Sequence, residues 1–293
     1  MSNNSRVQTF HKIQVKDGVK IWYREAGDIN KPHFLLLHGY PTSSNMFRHL
    51  IPFLAPHFHV IAPDLPGFGF TETPESYEYS FSSVTRTIEH FVDILKLSNF
   101  AIYIFDYGAP VGLRLALKRP TNITAIVTQN GNAYEEGIDD RFWAPIKKYW
   151  QVTRDDPSFV ESLSEFIRDR KNIVSQYLDG VSNSDAIEPS AYVLDEALLK
   201  RPGQTDIQLD FFYDYQNNVK LYPQFQEYLR SAGIPVLVVW GKNDYIFSVA
   251  GAEAYKRDAK ESRVRYFDSG HFALEDHVVE IAEEIKSYLL PRI

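Results

Sequence analysis

Five short apolar runs occur along the chain, separated by longer stretches of mixed polarity. They cover residues 34–37, 60–62, 101–105, 123–128 and 236–240. Runs this short that are apolar on both faces are typical of strands buried in a parallel sheet. Ahead of them, residues 7–15 and 19–25 alternate in polarity around Asp17-Gly18, a pattern that predicts an antiparallel hairpin.

Stretches with helical periodicity lie between and after these runs. Apolar residues recur at intervals of three and four across residues 81–97 and 272–289, and residues 107–117 follow the third run directly. This exchange of strand and helix signals predicts an α/β fold, with a mostly parallel central sheet and helices on both of its faces.

Residues 134–224 interrupt the alternation. The interval has no buried-strand run, is dominated by helix and loop signals, and is rich in Phe, Tyr and Trp. We expect a helical cap inserted into a core of residues 1–133 and 225–293, over the edge of the sheet where α/β proteins bind ligands. A second, independent domain is the alternative interpretation.

The composition of the chain argues against several classes of binding partner and chemistry. The net charge is −7 and no basic cluster stands out, which argues against a nucleic-acid partner. No apolar stretch reaches the roughly 18 residues of a membrane span. Cysteine is absent, which excludes disulfides and thiolate catalysis and fits a cytoplasmic protein. Aromatic residues make up 14% of the chain, a hint of an apolar cavity.

Three polar residues stand where strands are expected to end. Asp106 follows the run 101–105 in a tight turn before a helix, whose N-terminus favours an ionised carboxylate. Asp244 lies in the loop after the run 236–240, and His271 precedes the last helix. Each has an ordinary explanation alone, such as a helix cap for Asp106. Nucleophile, acid and histidine in this order, however, are the chain order of the α/β-hydrolase triad.

The sequence around these positions resembles α/β-hydrolases that carry aspartate at the nucleophile elbow, over nearly the whole chain. Asp106-Tyr107-Gly108 is similar to the elbow of epoxide hydrolases and haloalkane dehalogenases. His38-Gly39-Tyr40-Pro41 matches the HGxP segment of epoxide hydrolases, and residues 67–71 match the turn that accompanies it. No G-x-S-x-G motif occurs, so a serine esterase would lack its elbow.

The resemblance implies hydrolysis at a saturated carbon. A carboxylate that attacks an ester is easily expelled again, whereas attack of Asp106 on a carbon bearing an epoxide oxygen or a halide gives a stable alkyl ester. His271, oriented by Asp244, would then activate water against that ester. The backbone N–H groups of Tyr40 and Tyr107 would hold the resulting oxyanion.

The leaving group separates the two families. Epoxide hydrolases protonate the ring oxygen from two cap tyrosines, and Tyr149 and Tyr215 resemble those two positions. Haloalkane dehalogenases usually place Trp after the nucleophile and Asn in the HGxP segment, where this chain has Tyr107 and Tyr40. An aliphatic residue two before the nucleophile, here Ile104, is instead seen in dehalogenase-like elbows. We expect an epoxide hydrolase, with a haloalkane dehalogenase as the alternative.

An apolar, aromatic pocket is expected around Asp106. Candidates for substrate-binding residues in it are His38, Phe105, Trp150 and Phe247. The substrate would be a small apolar molecule that reacts with water, and neither a cofactor nor a metal is implied. A ligand receptor on an inactive hydrolase fold is the alternative from another class, but all three candidate catalytic residues are retained. The sequence leaves open whether the chain forms a homodimer.

Overall fold

A computed structural model describes residues 7–293 and centres on an eight-stranded sheet. The first six residues of the expected core lie outside the described residues. The strands are β1 (Thr9–Gln14), β2 (Lys20–Ala26), β3 (His33–Leu37), β4 (His59–Pro63), β5 (Phe100–Phe105), β6 (Ile123–Gln129), β7 (Val236–Gly241) and β8 (Ser262–Phe267).

The strands follow the order β1-β2-β4-β3-β5-β6-β7-β8 across the sheet. The pairs β1–β2 and β2–β4 are antiparallel, and all other neighbouring pairs are parallel. The predicted hairpin and the mostly parallel sheet are therefore confirmed. Because β3, β5, β6, β7 and β8 are adjacent and parallel, the segments that follow them leave the sheet at one edge.

Helices cover both faces of the sheet. The helices are α1 (Ile51–Leu54), α2 (Phe81–Ile94), α3 (Gly108–Lys118), α4 (Asp140–Tyr149), α5 (Pro157–Arg168), α6 (Arg170–Leu178), α7 (Pro189–Leu199), α8 (Gln204–Asp214), α9 (Gln216–Val219), α10 (Tyr222–Ser231), α11 (Val249–Asp258), α12 (Ala273–Asp276) and α13 (Val278–Leu289). Side chains of α2, α3 and α11 join one hydrophobic core, and those of α1 and α13 join a second core. This arrangement confirms the predicted α/β fold class.

Two elements differ from the sequence prediction. The helix expected over residues 272–289 is two helices, α12 and α13, which meet at His277, where φ is −121°. Strand β8 was not predicted because it lies at the edge of the sheet and is only partly buried. Its residues Arg263 and Arg265 both pair with Glu284 on α13, so the strand lacks the continuous apolar run of a central strand.

The segment between β6 and β7 includes helices α4 to α10 and contributes no strand to the sheet. We refer to residues 134–224 as the helical segment. Helix α10 returns towards the sheet and contacts α3 and α11. Across residues 7–293, no helix combines the length and apolar character that a bilayer crossing requires.

Candidate active site

Asp106 lies in a tight turn between β5 and α3. Its φ of +46° is in the left-handed region, which is uncommon for a residue with a side chain. Strand β5 ends at Phe105 and α3 begins at Gly108, so two residues make the turn. A Cβ added at Gly108 would lie 2.2 Å from the carbonyl oxygen of Leu37 at the end of β3. The turn therefore packs directly on the neighbouring strand, which holds the carboxylate at the sheet edge.

Backbone N–H groups hold the carboxylate of Asp106. The N–H of Tyr40 donates to Oδ1 over 2.6 Å, and the N–H of Tyr107 also donates to this carboxylate. Gly39 makes the approach possible, since a Cβ there would lie 2.1 Å from Oδ1. The two N–H groups that the sequence analysis selected are thus both directed at the Asp106 carboxylate.

The other oxygen of Asp106 faces His271. Nε2 of His271 lies 4.0 Å from Oδ2 of Asp106, and it has no hydrogen-bond partner among residues 7–293. On the opposite side of the ring, Nδ1 donates to Oδ2 of Asp244 over 2.8 Å. The structure therefore brings together Asp106, His271 and Asp244, with the imidazole between the two carboxylates.

Asp244 is fixed by further hydrogen bonds. The N–H of Ile246 donates to its Oδ1 over 2.7 Å, and Nδ2 of Asn130 donates to its Oδ2 over 2.8 Å. Asn130 follows β6 with a φ of +44°, and its own side-chain oxygen accepts the N–H of Gly241. The sequence analysis missed Asn130. The signal available there was a polar residue just after a buried strand.

Burial is the largest influence on the charges of the site. It raises the pKa of Asp106 to about 6, against the opposing effects of His271 and of the N–H groups of Tyr40 and Tyr107. Burial alone would lower the pKa of His271, but the carboxylates of Asp244 and Asp106 outweigh it, and the net shift is upward. At neutral pH Asp106 is therefore largely ionised, and part of the stability of the imidazolium depends on that charge.

A narrow, mostly apolar cavity of about 10 Å³ adjoins Asp106. The residues that line it are Tyr40, Asp106, Tyr107, Phe142, Trp143, Gln176, Phe212 and Ile246. Phe142, Trp143, Gln176 and Phe212 belong to the helical segment. A larger outer chamber of about 450 Å³ shares Phe142 and Phe212 with this cavity. These two rings therefore stand between the outer chamber and the carboxylate.

Tyr149 packs within the helical segment and not at the cavity beside Asp106. Its hydroxyl donates to the backbone carbonyl of Arg154, and its ring packs against Phe159 and Tyr213. It does not belong to the lining of the cavity. The structure does not bring Tyr149 to Asp106, so the pair of tyrosines expected from the resemblance is not assembled there.

Tyr215 lies beside the cavity, but its hydroxyl is engaged. The oxygen lies 3.2 Å from the hydroxyl of Tyr222, which also accepts Nδ2 of Asn132. The ring centre of Tyr215 lies 6.0 Å from that of Tyr107 and 4.6 Å from that of Trp143. Tyr215 therefore supports the wall of the site from behind.

His38 belongs to the framework of the site. Its Nδ1 donates to the carbonyl of Gly39, and its Nε2 accepts the N–H of Leu65. Burial lowers the pKa of His38 to about 4, so the ring is neutral. His38 thus joins the Gly39 loop to the loop after β4, and it is not part of the cavity lining.

The other expected lining residues also pack behind the cavity. The ring centre of Phe105 lies 4.7 Å from that of His271, and the ring centre of Phe247 lies 6.1 Å from it. Trp150 stacks on Tyr215, and its indole N–H donates to the carbonyl of Phe212. These three side chains position the imidazole and the wall of the cavity.

Comparison with known proteins agrees with this architecture. A family model described as the alpha/beta hydrolase fold matches residues 32–278. An uncharacterized hydrolase of Saccharomyces cerevisiae is 64% identical over 281 residues, which cover 96% of this chain and 97% of the relative. A haloalkane dehalogenase of Psychrobacter cryohalolentis is 28% identical over 199 residues, 61% of this chain and 65% of the relative.

A solved structure of an epoxide hydrolase, CorEH, superposes on the fold with a TM-score of 0.76 and 19% identity. The superposition covers 97% of this chain and 99% of that one. The family model matches most of the sequence, and the yeast hydrolase is similar over nearly its whole length. The chain is a member of the α/β-hydrolase fold family.

Proposed function

We propose that this protein hydrolyses a bond at a saturated carbon through a covalent ester on Asp106, and that its substrate is an epoxide, which it opens to a diol. One observation carries the proposal: the two oxygens of Asp106 have different environments. Oδ1 accepts the N–H of Tyr40, whereas Oδ2 faces Nε2 of His271 across 4.0 Å. A buried carboxylate with one oxygen held and the other open to the cavity is suited to act as a nucleophile.

In the first step, Oδ2 of Asp106 attacks a ring carbon of the epoxide, the carbon–oxygen bond breaks, and its electrons move to the leaving oxygen, which takes up a proton. Asp106 then carries an alkyl ester whose carbonyl oxygen is Oδ1. Because that oxygen already accepts the N–H of Tyr40, the ester is formed in the position where backbone donors polarise its carbonyl.

In the second step, Nε2 of His271 takes a proton from a water molecule as that water attacks Cγ of Asp106. The oxyanion that develops on Oδ1 is stabilised by the N–H groups of Tyr40 and Tyr107. The bond between Cγ and Oδ2 then breaks, His271 gives its proton to the departing alkoxide, and the carboxyl group regenerated on Asp106 releases the second proton of the water to solvent. Asp244, held by Ile246 and Asn130, keeps the imidazole oriented throughout.

The choice of an epoxide over a halide rests on the donors around the cavity. A departing halide requires N–H donors, and the indole groups of the helical segment are engaged. The N–H of Trp143 donates to the carbonyl of Ile246 over 2.8 Å, and that of Trp150 donates to the carbonyl of Phe212 over 2.8 Å. Because a haloalkane dehalogenase is among the similar proteins, displacement of a halide is the alternative reaction.

The test is to trap the ester. We expect His271→Gln to form the alkyl ester and fail to hydrolyse it, so incubation with propylene oxide or styrene oxide should add one substrate mass to the intact protein. Peptide mapping should place that mass on Asp106. The half-buried His277 lies outside the site and offers a matched control, since His277→Gln should turn over substrate without accumulating an adduct. Asp106→Asn should form none.

A mass added by iodohexane but by neither epoxide would replace the epoxide with a haloalkane as the substrate class. Absence of any adduct from epoxides and haloalkanes, combined with turnover of carboxylic esters by the unmodified protein, would refute the scheme as a whole.

A further inference from the structure

Two tyrosines that line the cavity have a hydroxyl without a hydrogen-bond partner in the described part of the chain. Tyr40 and Tyr107 are each 4% exposed, both line the cavity at Asp106, and the hydroxyl oxygen of each is buried and unpartnered among residues 7–293. Leaving a buried hydroxyl without a partner costs about 1–3 kcal/mol. Such a cost is usually met by a functional requirement or by a ligand that completes the hydrogen bonds.

The two side chains flank the nucleophile. Tyr40 follows Gly39 in the loop after β3, and Tyr107 is the residue next to Asp106. Their ring centres lie 6.1 Å apart, and the backbone N–H of each donates to the carboxylate of Asp106. A substrate carbon in contact with Oδ2 of Asp106 would therefore have its leaving group in a space bordered by these two phenols.

On the basis of the proposed function, we infer that the hydroxyls of Tyr40 and Tyr107 are the acid that receives the leaving oxygen of the epoxide. As Oδ2 of Asp106 forms its bond to carbon and the ring carbon–oxygen bond breaks, one phenol transfers its proton to the developing alkoxide and the other donates a hydrogen bond to it. The phenolate that remains recovers its proton from solvent water before the next turnover. Each of the two residues thus has two roles, a backbone N–H on the carboxylate of Asp106 and a hydroxyl on the leaving group.

The acid strengths are compatible with this role. Burial and, second, the charge of Asp106 raise the pKa of both phenols, so both carry their protons at neutral pH. An opening aliphatic epoxide generates an alkoxide about as basic as hydroxide, whose conjugate acid, water, has a pKa of about 15.7. Because the same burial destabilises the alkoxide as well as the phenolate, the ordinary difference in acidity between a phenol and water still favours transfer to the alkoxide. The apolar walls of the cavity strengthen the hydrogen bond that precedes the transfer.

The two tyrosines expected from the resemblance are less suited to this task. The hydroxyl of Tyr149 is committed to the carbonyl of Arg154, and that of Tyr215 lies within hydrogen-bond distance of Tyr222. These two residues therefore provide matched controls, because Tyr149→Phe and Tyr215→Phe remove the same atom from buried tyrosines without emptying the space of a ring.

The experiment measures the rate at which Asp106 is alkylated in the His271→Gln protein, by intact mass, with two substrates of similar size. Propylene oxide releases a strongly basic alkoxide, whereas trifluoropropylene oxide releases a far less basic one. Adding Tyr40→Phe and Tyr107→Phe together should slow alkylation by propylene oxide by about 100-fold or more, the range of general acid catalysis. With trifluoropropylene oxide, the fold reduction in the alkylation rate should be at least tenfold smaller (roughly one unit of log rate).

A purely structural role would slow both substrates equally, so an equal loss would overturn the inference, as would a change below about threefold in the double variant. A larger loss in Tyr149→Phe or Tyr215→Phe would assign the proton to the helical segment instead. In each of these outcomes the ester still forms in the His271→Gln parent, so the proposed function stands. Failure of that parent to form an ester would remove the proposed function itself.

Discussion

Oδ2 of Asp106 and Nε2 of His271 face each other across 4.0 Å, too far for a hydrogen bond, while Asp244 binds the opposite nitrogen of the same ring. The nucleophile and the proposed base are thus coupled by charge and not by a shared proton. Alkylation of Asp106 removes its negative charge, which is one of the causes of the raised pKa of His271. The chemistry of the first step therefore favours the neutral imidazole that the second step requires.

This coupling predicts the acid limb of the pH profile. The pKa of Asp106 is raised to about 6, chiefly by burial, and only the ionised carboxylate attacks carbon. We expect kcat/KM for an epoxide to fall about tenfold per pH unit below that value. In His271→Gln, which lacks the opposing positive charge, the midpoint for alkylation should move to higher pH. A profile that stays flat down to pH values near that of an exposed aspartate would contradict an assignment of the nucleophile to a buried Asp106.

The same shift makes Asp106 a source of instability at neutral pH. A carboxyl whose pKa rises from 3.8 to about 6 on folding loses about 3 kcal/mol of stability as the pH increases through this range. The sign follows because the folded state binds the proton more tightly. We expect Asp106→Asn to raise Tm by several degrees at neutral pH and to have little effect below the pKa of the unfolded chain. Calorimetry at two pH values would check this, and equal changes at both would contradict it.

Asn130 should affect hydrolysis of the ester more than alkylation of Asp106. Its side chain donates to Oδ2 of Asp244, the oxygen that also accepts His271. Asn130→Gly retains the freedom that a φ of +44° requires but loses this hydrogen bond. We expect hydrolysis of the ester to slow by about tenfold, within the range seen when an orienting partner is removed, so that some adduct accumulates during turnover.

The control for Asn130 is the half-buried Asn122 at the opposite end of β6, where Asn122→Gly should leave the adduct undetectable. Equal losses in alkylation and in hydrolysis would show that Asn130 supports the site only through the stability of the fold.

Phe142 should limit the size of the substrate. Its ring and that of Phe212 line both the inner cavity and the outer chamber. Phe142→Ala joins the two spaces, so we expect kcat/KM for stilbene oxide to rise about tenfold relative to that for propylene oxide, a typical contribution of lost steric exclusion. Phe166 lines only the outer chamber, and Phe166→Ala should leave the ratio unchanged. An unchanged ratio in both variants would mean that substrates reach Asp106 by another route.

Much of the architecture could be predicted because buried parallel strands are read from short apolar runs. Asp106 and Asp244 follow such runs, and the order of the sheet places β5, β7 and β8 where their loops can meet. Strand β8 could not be recognised in this way, because an edge strand with paired arginines carries little apolar signal.

The details of the cavity were harder to predict. Tyr149 matches its expected position in the sequence, but the direction of a side chain on α4 depends on how that helix packs, and its hydroxyl meets Arg154. Asn130 acts through Asp244, a contact between residues separated by 114 positions. Local patterns carry no information about such a contact unless the neighbouring strands are already placed. The hydroxyls of Tyr40 and Tyr107 were overlooked for a related reason, since the resemblance directed attention to their backbone groups.

The left-handed backbone at Asp106 has a practical consequence for engineering. A glycine at this position would relieve the strain of the positive φ and would also remove the buried charge. Replacement of the nucleophile should therefore raise the thermal stability of the protein. A library screened only for thermal stability would therefore enrich inactive variants. Any effort to stabilise this protein has to select for catalytic turnover in every round.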